Sequence, residues 1–366
     1  MGAPATALDS TPPARRANAR HDVPSEAVEP TGASRESRAV AVDRERLRAL
    51  CSQTLAETAF EGLGERVAGK VRDSYVQAGR RTIVVSDRVS CFDVVVGTIP
   101  LKGQVLNQMA AFWFERTKSI ARNHLIAVPD PNVSIVEECE PLPVEFVMRG
   151  YLTGSSSTSI WTAYARGVRR YCGHTLPEGL RRHEKLPAPI LTPTTKAAQG
   201  GHDQPTSREE LIESGVISEG LYDRAHAIAQ QLFAEGQRFA EERGLILADT
   251  KYEMGLDARG EIVVIDEIHT PDSSRYWRID GYEQALRDGG SPAAIDKEYV
   301  RLWLGEQGYK GEGPPPALPE EVRIEAATRY IDAFEQLSGR DFQPDLDAPL
   351  PRIRRNLGLA EREGLV

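Results

Sequence analysis

Two short aliphatic runs limit what this chain can fold into more than any other feature. Leu245 to Asp249 and Ile262 to Asp266 are β-branched or aliphatic, and Asp257 to Gly260 between them supplies turn residues, so the segment reads as a β-hairpin. A long amphipathic pattern precedes it from 207 to 243 (Leu211, Ile217, Leu221, Ala225, Ile228, Leu232, Phe239) and stops at Arg243-Gly244, which predicts a helix leading directly into the hairpin.

The charges on this hairpin are placed by its pleat. Alternation puts Asp249, Lys251 and Glu253 on one face, opposite Tyr252. Asp266 closes an aliphatic run at the border of the core, where a carboxylate is costly unless it is paired or metal-bound. Mg²⁺ takes oxygen ligands and is commonly held by one or two carboxylates plus substrate phosphates, a set that Glu253 and Asp266 would supply across the hairpin. The competing reading is a surface hairpin laced with salt bridges.

Other segments extend the pattern. Leu47, Leu50, Leu55 and Phe60 predict a first helix, and Val67 to Tyr75 and Thr82 to Ser86 predict strands around the Ala78-Gly79 turn. Helical spacing returns from Val105 to Ile120, and an apolar stretch from Val144 to Met148 runs into Arg149-Gly150-Tyr151. We expect a β-rich amino-terminal lobe over 43–143, a larger lobe over 144–310, and a linker with helices over 311–366. Residues 1–42 are rich in Pro, Ala, Ser, Arg and Glu with almost no large apolar side chains, so a disordered tail is expected there.

Composition excludes several function classes. A net charge of −9 argues against broad binding of nucleic acid or anionic membrane, so an anionic ligand needs a local basic pocket. No run approaches the roughly 20 apolar residues that span a bilayer. Cys51, Cys91, Cys139 and Cys172 are widely spaced, which fits neither a zinc cluster nor a disulfide framework and points to a reducing cytoplasm.

Three further constellations carry chemistry. Gly69-Lys70-Val71-Arg72 places two cations one residue apart, and on a strand both would share a face and could converge on a polyphosphate. Alone, it reads as a solvated strand. Glu145 to Ser155 (EFVMRGYLTGS) sets Arg149 ahead of a run of hydroxyls at a helix start, the outline of a monophosphate site, although on this segment alone simple helix capping is the favoured reading. Thr270 to Trp277 (TPDSSRYW) carries a second arginine, Arg275, able to share an anion with Arg149, or is simply a loop capping a following helix. The stretches Ser86 to Asp93 and Ile190 to Lys196 through Gly200-Gly201-His202-Asp203 are either ligand-binding loops or plain loops.

In order along the chain, GKVRDSY, SDRVSCFD, KGQVLNQ, RGYLTGS, TPTTK with GGHD, ADTKYEMG and IDEIHTPDSSRYW closely resemble the SAICAR synthetase (phosphoribosylaminoimidazole-succinocarboxamide synthase) family of purine biosynthesis, over about residues 65 to 305. The resemblance implies an α+β fold with a kinase-like amino-terminal β lobe, a larger α/β lobe and ATP between them. It implies that ATP, L-aspartate and carboxyaminoimidazole ribonucleotide give ADP, phosphate and the succinocarboxamide. By the same resemblance Gly69, Lys70 and Arg72 contact the ATP phosphates and Glu253 and Asp266 hold Mg²⁺. Arg149, Ser155 and Arg275 take the ribonucleotide phosphate, Glu145 and Asp87 lie near the imidazole carboxylate, and Asp249 and Lys251 lie near the reacting groups. Departures are few: Cys91, Met254 and His269 stand where other residue types are expected. The TPTTK and GGHD layout is similar to the branch that is often monomeric.

Two rivals remain. Asp249-x-Lys251 leading to Gly255 is also similar to the DxKxG signature of inositol phosphate kinases, which makes a small-molecule kinase the alternative enzyme. A nucleotide sensor without turnover is the reading from another class, and intact Lys70, Glu253 and Asp266 speak against it.

Overall fold

The computed structural model describes residues 42–156, 158–195, 204–295 and 298–359. The expected disordered tail falls almost wholly, and Lys196 to Asp203 wholly, outside the described residues.

The described chain opens with α1 (Arg44–Leu50), whose amino end is capped by the Asp43 side chain accepting from Arg46 N at 2.8 Å. The helix stops short of the predicted Leu55 and Phe60. Those two side chains are instead buried in irregular backbone against Tyr75 and Val84, and Phe60 N donates to the Tyr75 hydroxyl at 3.0 Å.

Next come β1 (Glu65–Ala68), β2 (Arg72–Gln77) and β3 (Arg80–Val85). The single strand expected over Val67 to Tyr75 is broken into two arms of a hairpin. Gly69 N donates to the Arg72 carbonyl at 2.8 Å, and a Cβ on Gly69 would stand only 2.9 Å from that oxygen, so the turn demands glycine. Lys70 therefore lies in a turn and does not share a strand face with Arg72. The predicted Ala78-Gly79 turn is present, with both residues at positive φ.

A second hairpin, β4 (Arg88–Cys91) with β5 (Val94–Thr98), turns at Phe92 and Asp93, both left-handed. It leads to α2 (Lys102–Thr117), β6 (Leu125–Asp130) and β7 (Val133–Glu137). An antiparallel sheet of five strands results, in the order β1-β2-β3-β7-β6. α2 buries Val105, Met109 and Trp113 in the main core.

The long strand β8 (Glu140–Tyr151) begins the second sheet. It is followed by α3 (Ile160–Ala165), the small hairpin β9 (Arg170–Tyr171) with β10 (His174–Thr175), then β11 (Lys185–Leu191), β12 (Thr194–Thr195) and β13 (Gln204–Pro205). The predicted 207–243 helix is two helices, α4 (Arg208–Glu213) and α5 (Glu219–Glu241), because Gly215 between them takes a φ of 73°. The hairpin of the opening argument is β14 (Leu245–Leu256) with β15 (Ile262–Ile265). β16 (Ser274–Arg278) follows, so TPDSSRYW leads into a strand and not into a helix.

These strands form an antiparallel sheet with β8 and β14 at its centre, β16 also pairing β14 and β11 also pairing β8. The rest is helical: α6 (Tyr282–Arg287), α7 (Glu298–Glu306), α8 (Glu320–Ser338) and α9 (Pro349–Asn356). α5 covers one face of the central strands with Ala229, Leu232, Phe233 and Phe239. Gly236 lets it approach: a Cβ there would stand 2.5 Å from the His269 ring. The fold is α+β, built on two antiparallel sheets, as expected.

Candidate active site

The register of three neighbouring strands builds one end of the site. Asp249 on β14 lies opposite Arg149 on β8 and opposite Arg275 on β16. Its Oδ2 accepts from Arg149 Nη1 at 3.0 Å and from Arg275 Nη1 at 2.7 Å, while Arg149 Nε donates to Thr192 Oγ1 at 2.8 Å. Two guanidinium groups thus share one carboxylate on adjacent strands, all three side chains mostly buried, and guanidinium groups so placed are of the type that takes an oxyanion such as phosphate in bidentate fashion.

Four residues along the same strand the chemistry changes. Glu253 lies directly opposite Glu145, a pairing of like charges that disfavours the sheet unless something bridges it. Lys251 is the bridge: its Nζ stands 2.8 Å from Glu145 and 2.7 Å from Glu253. Burial opposes the charge on Lys251, but Glu253 and Glu145 more than offset it and hold the ammonium above its ordinary range. Thr194 Oγ1 donates to the other Glu145 oxygen at 2.9 Å. The opposite face carries Tyr252, fully buried and hydrogen-bonded to the His269 ring, as the alternation predicts.

Glu253 also pairs with Ile265 on β15, so Asp266 follows immediately beside it. Asp266 takes a left-handed φ of 68°. Such backbone is uncommon outside glycine, is best tolerated by Asp and Asn, and clusters at functional sites. Its carboxylate meets Arg72 from the first sheet, and the second Arg72 nitrogen reaches Glu267 at 2.6 Å. Burial works against the Arg72 charge, but Asp266 and Glu267 overcome it and raise the group.

Arg72, Glu145, Lys251, Glu253, Asp266 and Glu267 line a cleft of about 570 Å³ that also includes Gly69, Lys70, Asp93, Asp272 and Ser273, and the Arg149–Asp249–Arg275 row lies outside its lining. Lys70 reaches it from the β1–β2 turn, exposed, with Nζ 2.7 Å from Asp93. Glu253 and Asp266 are hard oxygen donors on one wall of this cleft, the donor set that Mg²⁺ takes. At about 3.3 Å per strand residue, the arginine pair and the carboxylate cluster lie roughly 13 Å apart on one face.

Two expected members are elsewhere. Asp87 is buried with its oxygens taken by Leu55 N at 2.8 Å and Gly103 N at 2.9 Å, beside Pro100, Asn132 and Arg352 and away from the cleft. Burial pushes its pKa up to about 6. It ties the segment after α1 to the start of α2 and does not line the cleft. Ser155 is exposed and does not open α3; the cap is Ser159, whose Oγ accepts from Thr162 N, so helix capping accounts for that hydroxyl.

Sequence reasoning missed Glu267, Asp93, Asp272 and Lys102. Lys102 opens α2 with its side chain wholly buried against Asp272 at 2.7 Å. A lysine at a helix start carries no sequence signal that distinguishes this from a solvated one.

A family model described as SAICAR synthetase matches residues 65–316. The chain belongs to the SAICAR synthetase family. Among its relatives, the phosphoribosylaminoimidazole-succinocarboxamide synthase of Legionella pneumophila (strain Paris) is 47% identical over 312 residues, covering 83% of this chain and 99% of that protein. The SAICAR synthase of Saccharomyces cerevisiae, solved in complex with SAICAR, is 30% identical, with a TM-score of 0.69 over 79% of this chain and 100% of that one. A Type-2 SAICAR synthetase solved in complex with ADP shares the fold at 21% identity, with a TM-score of 0.58 over 77% of this chain and 100% of that one.

Proposed function

We propose that this chain is the ATP-dependent carboxylate–amine ligase of its family, joining L-aspartate to 5-amino-1-(5-phosphoribosyl)imidazole-4-carboxylate through an acyl phosphate to give SAICAR, ADP and phosphate. The observation that carries the reading is the pair of stations on one sheet face: the Arg149–Asp249–Arg275 row and the Glu145–Lys251–Glu253 cluster beside Asp266. A ribonucleotide with an anchoring phosphate at one end and a reacting carboxylate at the other needs two such stations. The kinase reading has no use for the arginine row and is not favoured.

In this reading Arg149 and Arg275 clamp the ribonucleotide phosphate. Lys70, Arg72 and the Gly69 turn hold the ATP phosphates, and ATP lies between the lobe of residues 43–143 and that of 144–310. Mg²⁺, held by Glu253 and Asp266 and completed by phosphate oxygens, would neutralise charge on the transferred group. That form suits a cleft where, among the described residues, no three His, Cys, Asp or Glu side chains gather to cage a metal.

Phosphorylation gives the carboxylate a leaving group, and the aspartate amine then attacks the acyl carbon. Both steps need positioning and charge stabilisation more than a protein nucleophile. Lys251, kept cationic by its two carboxylates, meets negative charge developing at the phosphoryl and carbonyl oxygens. Glu145, its second oxygen fixed by Thr194, orients Lys251, and Asp249 sets the spacing of the two arginines.

No helix of the described residues is long and apolar enough to cross a membrane, and no disulfide links the four cysteines. Both support a cytoplasmic setting. Similarity to the branch that is often monomeric supports a monomer.

The test is ADP release by purified protein with Mg-ATP and carboxyaminoimidazole ribonucleotide, with and without L-aspartate, and detection of the amide. Aspartate-dependent release with matching SAICAR is expected. ADP release matched by a stable phosphorylated product would instead establish a kinase.

A further inference from the structure

Lys102 is the first residue of α2, and its side chain is wholly buried. Its Nζ meets Asp272 Oδ2 at 2.7 Å, and the Tyr330 hydroxyl donates to Asp272 Oδ1 at 2.6 Å. The ammonium also lies 5.5 Å from the centre of the Tyr330 ring. Asp272 lines the cleft with Lys251, Glu253 and Asp266. Its turn is tied to that wall by Lys251 N donating to the Ser273 carbonyl at 3.1 Å.

Removing an ammonium from water is expensive, and a buried ion pair stabilises a fold weakly if at all compared with apolar side chains of the same volume. The Lys102–Asp272 pair is thus a poor device for stability. What it fixes is orientation. One Asp272 oxygen carries an ammonium donor and the other a phenol donor, delivered by two helices that are far apart in sequence and anchored in the core. The carboxylate cannot rotate, and the turn from Thr270 to Ser273 is pinned where it meets the reacting groups. Tyr330 comes from α8 and lies beyond residues 65–316, the span matched by the family model.

We propose that Lys102 and Tyr330 are positioning residues that hold the Asp272 carboxylate in a single orientation toward the cleft, where it accepts a hydrogen bond from a donor group of the bound substrates. The proposal rests on the ligase reading. Lys102 and Tyr330 touch no substrate and act only through Asp272. Helix α8 is then part of the apparatus that positions Asp272 and not only a cover over the core.

The experiment is a double-mutant cycle in steady-state turnover with Lys102→Met, Asp272→Asn and the two combined, with Tyr330→Phe measured beside them and melting temperature recorded for each. Positioning predicts that Lys102→Met lowers kcat about 10- to 100-fold, as loss of an outer-shell partner typically does, with KM for ATP near the wild-type value. The loss disappears in the Asp272→Asn background, because there is no longer a charged carboxylate to position. Tyr330→Phe, which keeps the ring, gives a smaller loss of the same kind and carries the test if Lys102→Met does not fold. Wild-type kcat in Lys102→Met or Tyr330→Phe, or losses that multiply with that of Asp272→Asn, would overturn the proposal. SAICAR formation by the wild-type protein in the same assay tests the ligase reading separately, and its absence overturns both.

Discussion

Arg72 and Asp266, 194 residues apart in the chain, close on each other across the cleft. Glu267 takes the second nitrogen of the same guanidinium at 2.6 Å. Two adjacent acids of the second sheet are thus held by one cation of the first. Arg72→Met should leave them unpaired and cost about 3–5 kcal/mol of stability, the usual penalty for breaking a partly buried pair from one side. Mn²⁺ without nucleotide should then restore part of the loss, whereas the wild-type melting temperature should respond weakly. Thermal melts with and without Mn²⁺ check this, and an equal response in both proteins would remove Arg72 from any role over the acids.

Asp266→Asn should abolish turnover and leave the protein folded at a lowered melting temperature, because Glu267 continues to pair the Arg72 guanidinium. Asn tolerates the left-handed backbone seen at Asp266, so the substitution removes charge without adding strain. A variant that retains near-normal SAICAR formation would end its assignment as a metal ligand.

Arg149→Met and Arg275→Met should each raise KM for the ribonucleotide about 10- to 100-fold, the value of one hydrogen bond to a charged group, with KM for ATP nearly unchanged. Because both arginines grip Asp249, the double variant should fall short of the product of the single effects. Equal rises in both KM values would mean that the row supports the whole site and not one substrate.

Acid should unfold this protein early. Burial lowers His269 from 6.5 to about 3, and burial likewise lowers His183 from 6.5 to about 4. Below pH 6.5 the unfolded chain takes up protons at these positions that the folded chain refuses, so the stability they support is complete above pH 6.5 and is lost as pH falls toward 4 and then 3. Unfolding free energies from denaturant titrations at pH 7.5 and 5 should differ by several kcal/mol, and His269→Gln should flatten the dependence. An unchanged slope in that variant would place the acid sensitivity elsewhere.

Much of the site was legible because it lies on a strand. Alternation alone placed Asp249, Lys251 and Glu253 on one face with Tyr252 behind them, and the aliphatic run into Asp266 marked the edge of the core. The pairing of Arg149 with Arg275 was foreseen, but not that Asp249 stands between them, since those contacts span 100 and 26 residues. Lys70 and Arg72 were misplaced because one glycine ends a strand without disturbing its pattern. Gly215 escaped notice similarly, since Leu211 and Ile217 keep helical spacing across the break. The two backbone amides on Asp87 were not legible, because an acid between Ser86 and Arg88 looks the same whether it faces a substrate or buried backbone.

The pairing of β14 with β8 is unbroken from Asp249 to Glu253 and irregular beyond Glu253, while its pairing with β16 slips between Leu247 and Asp249. The distance between the two stations is therefore set by a measuring rod five residues long, and not by loops that could stretch. Surface turns can gain or lose residues at little cost, but inserting one residue inside 249–253 would reverse every later side chain, turning Glu253 into the core and Tyr252 or its successor toward solvent. If the two stations hold the two ends of one ligand, strand pairing fixes the length of ligand that fits, and variation has to come from the ends of the rod.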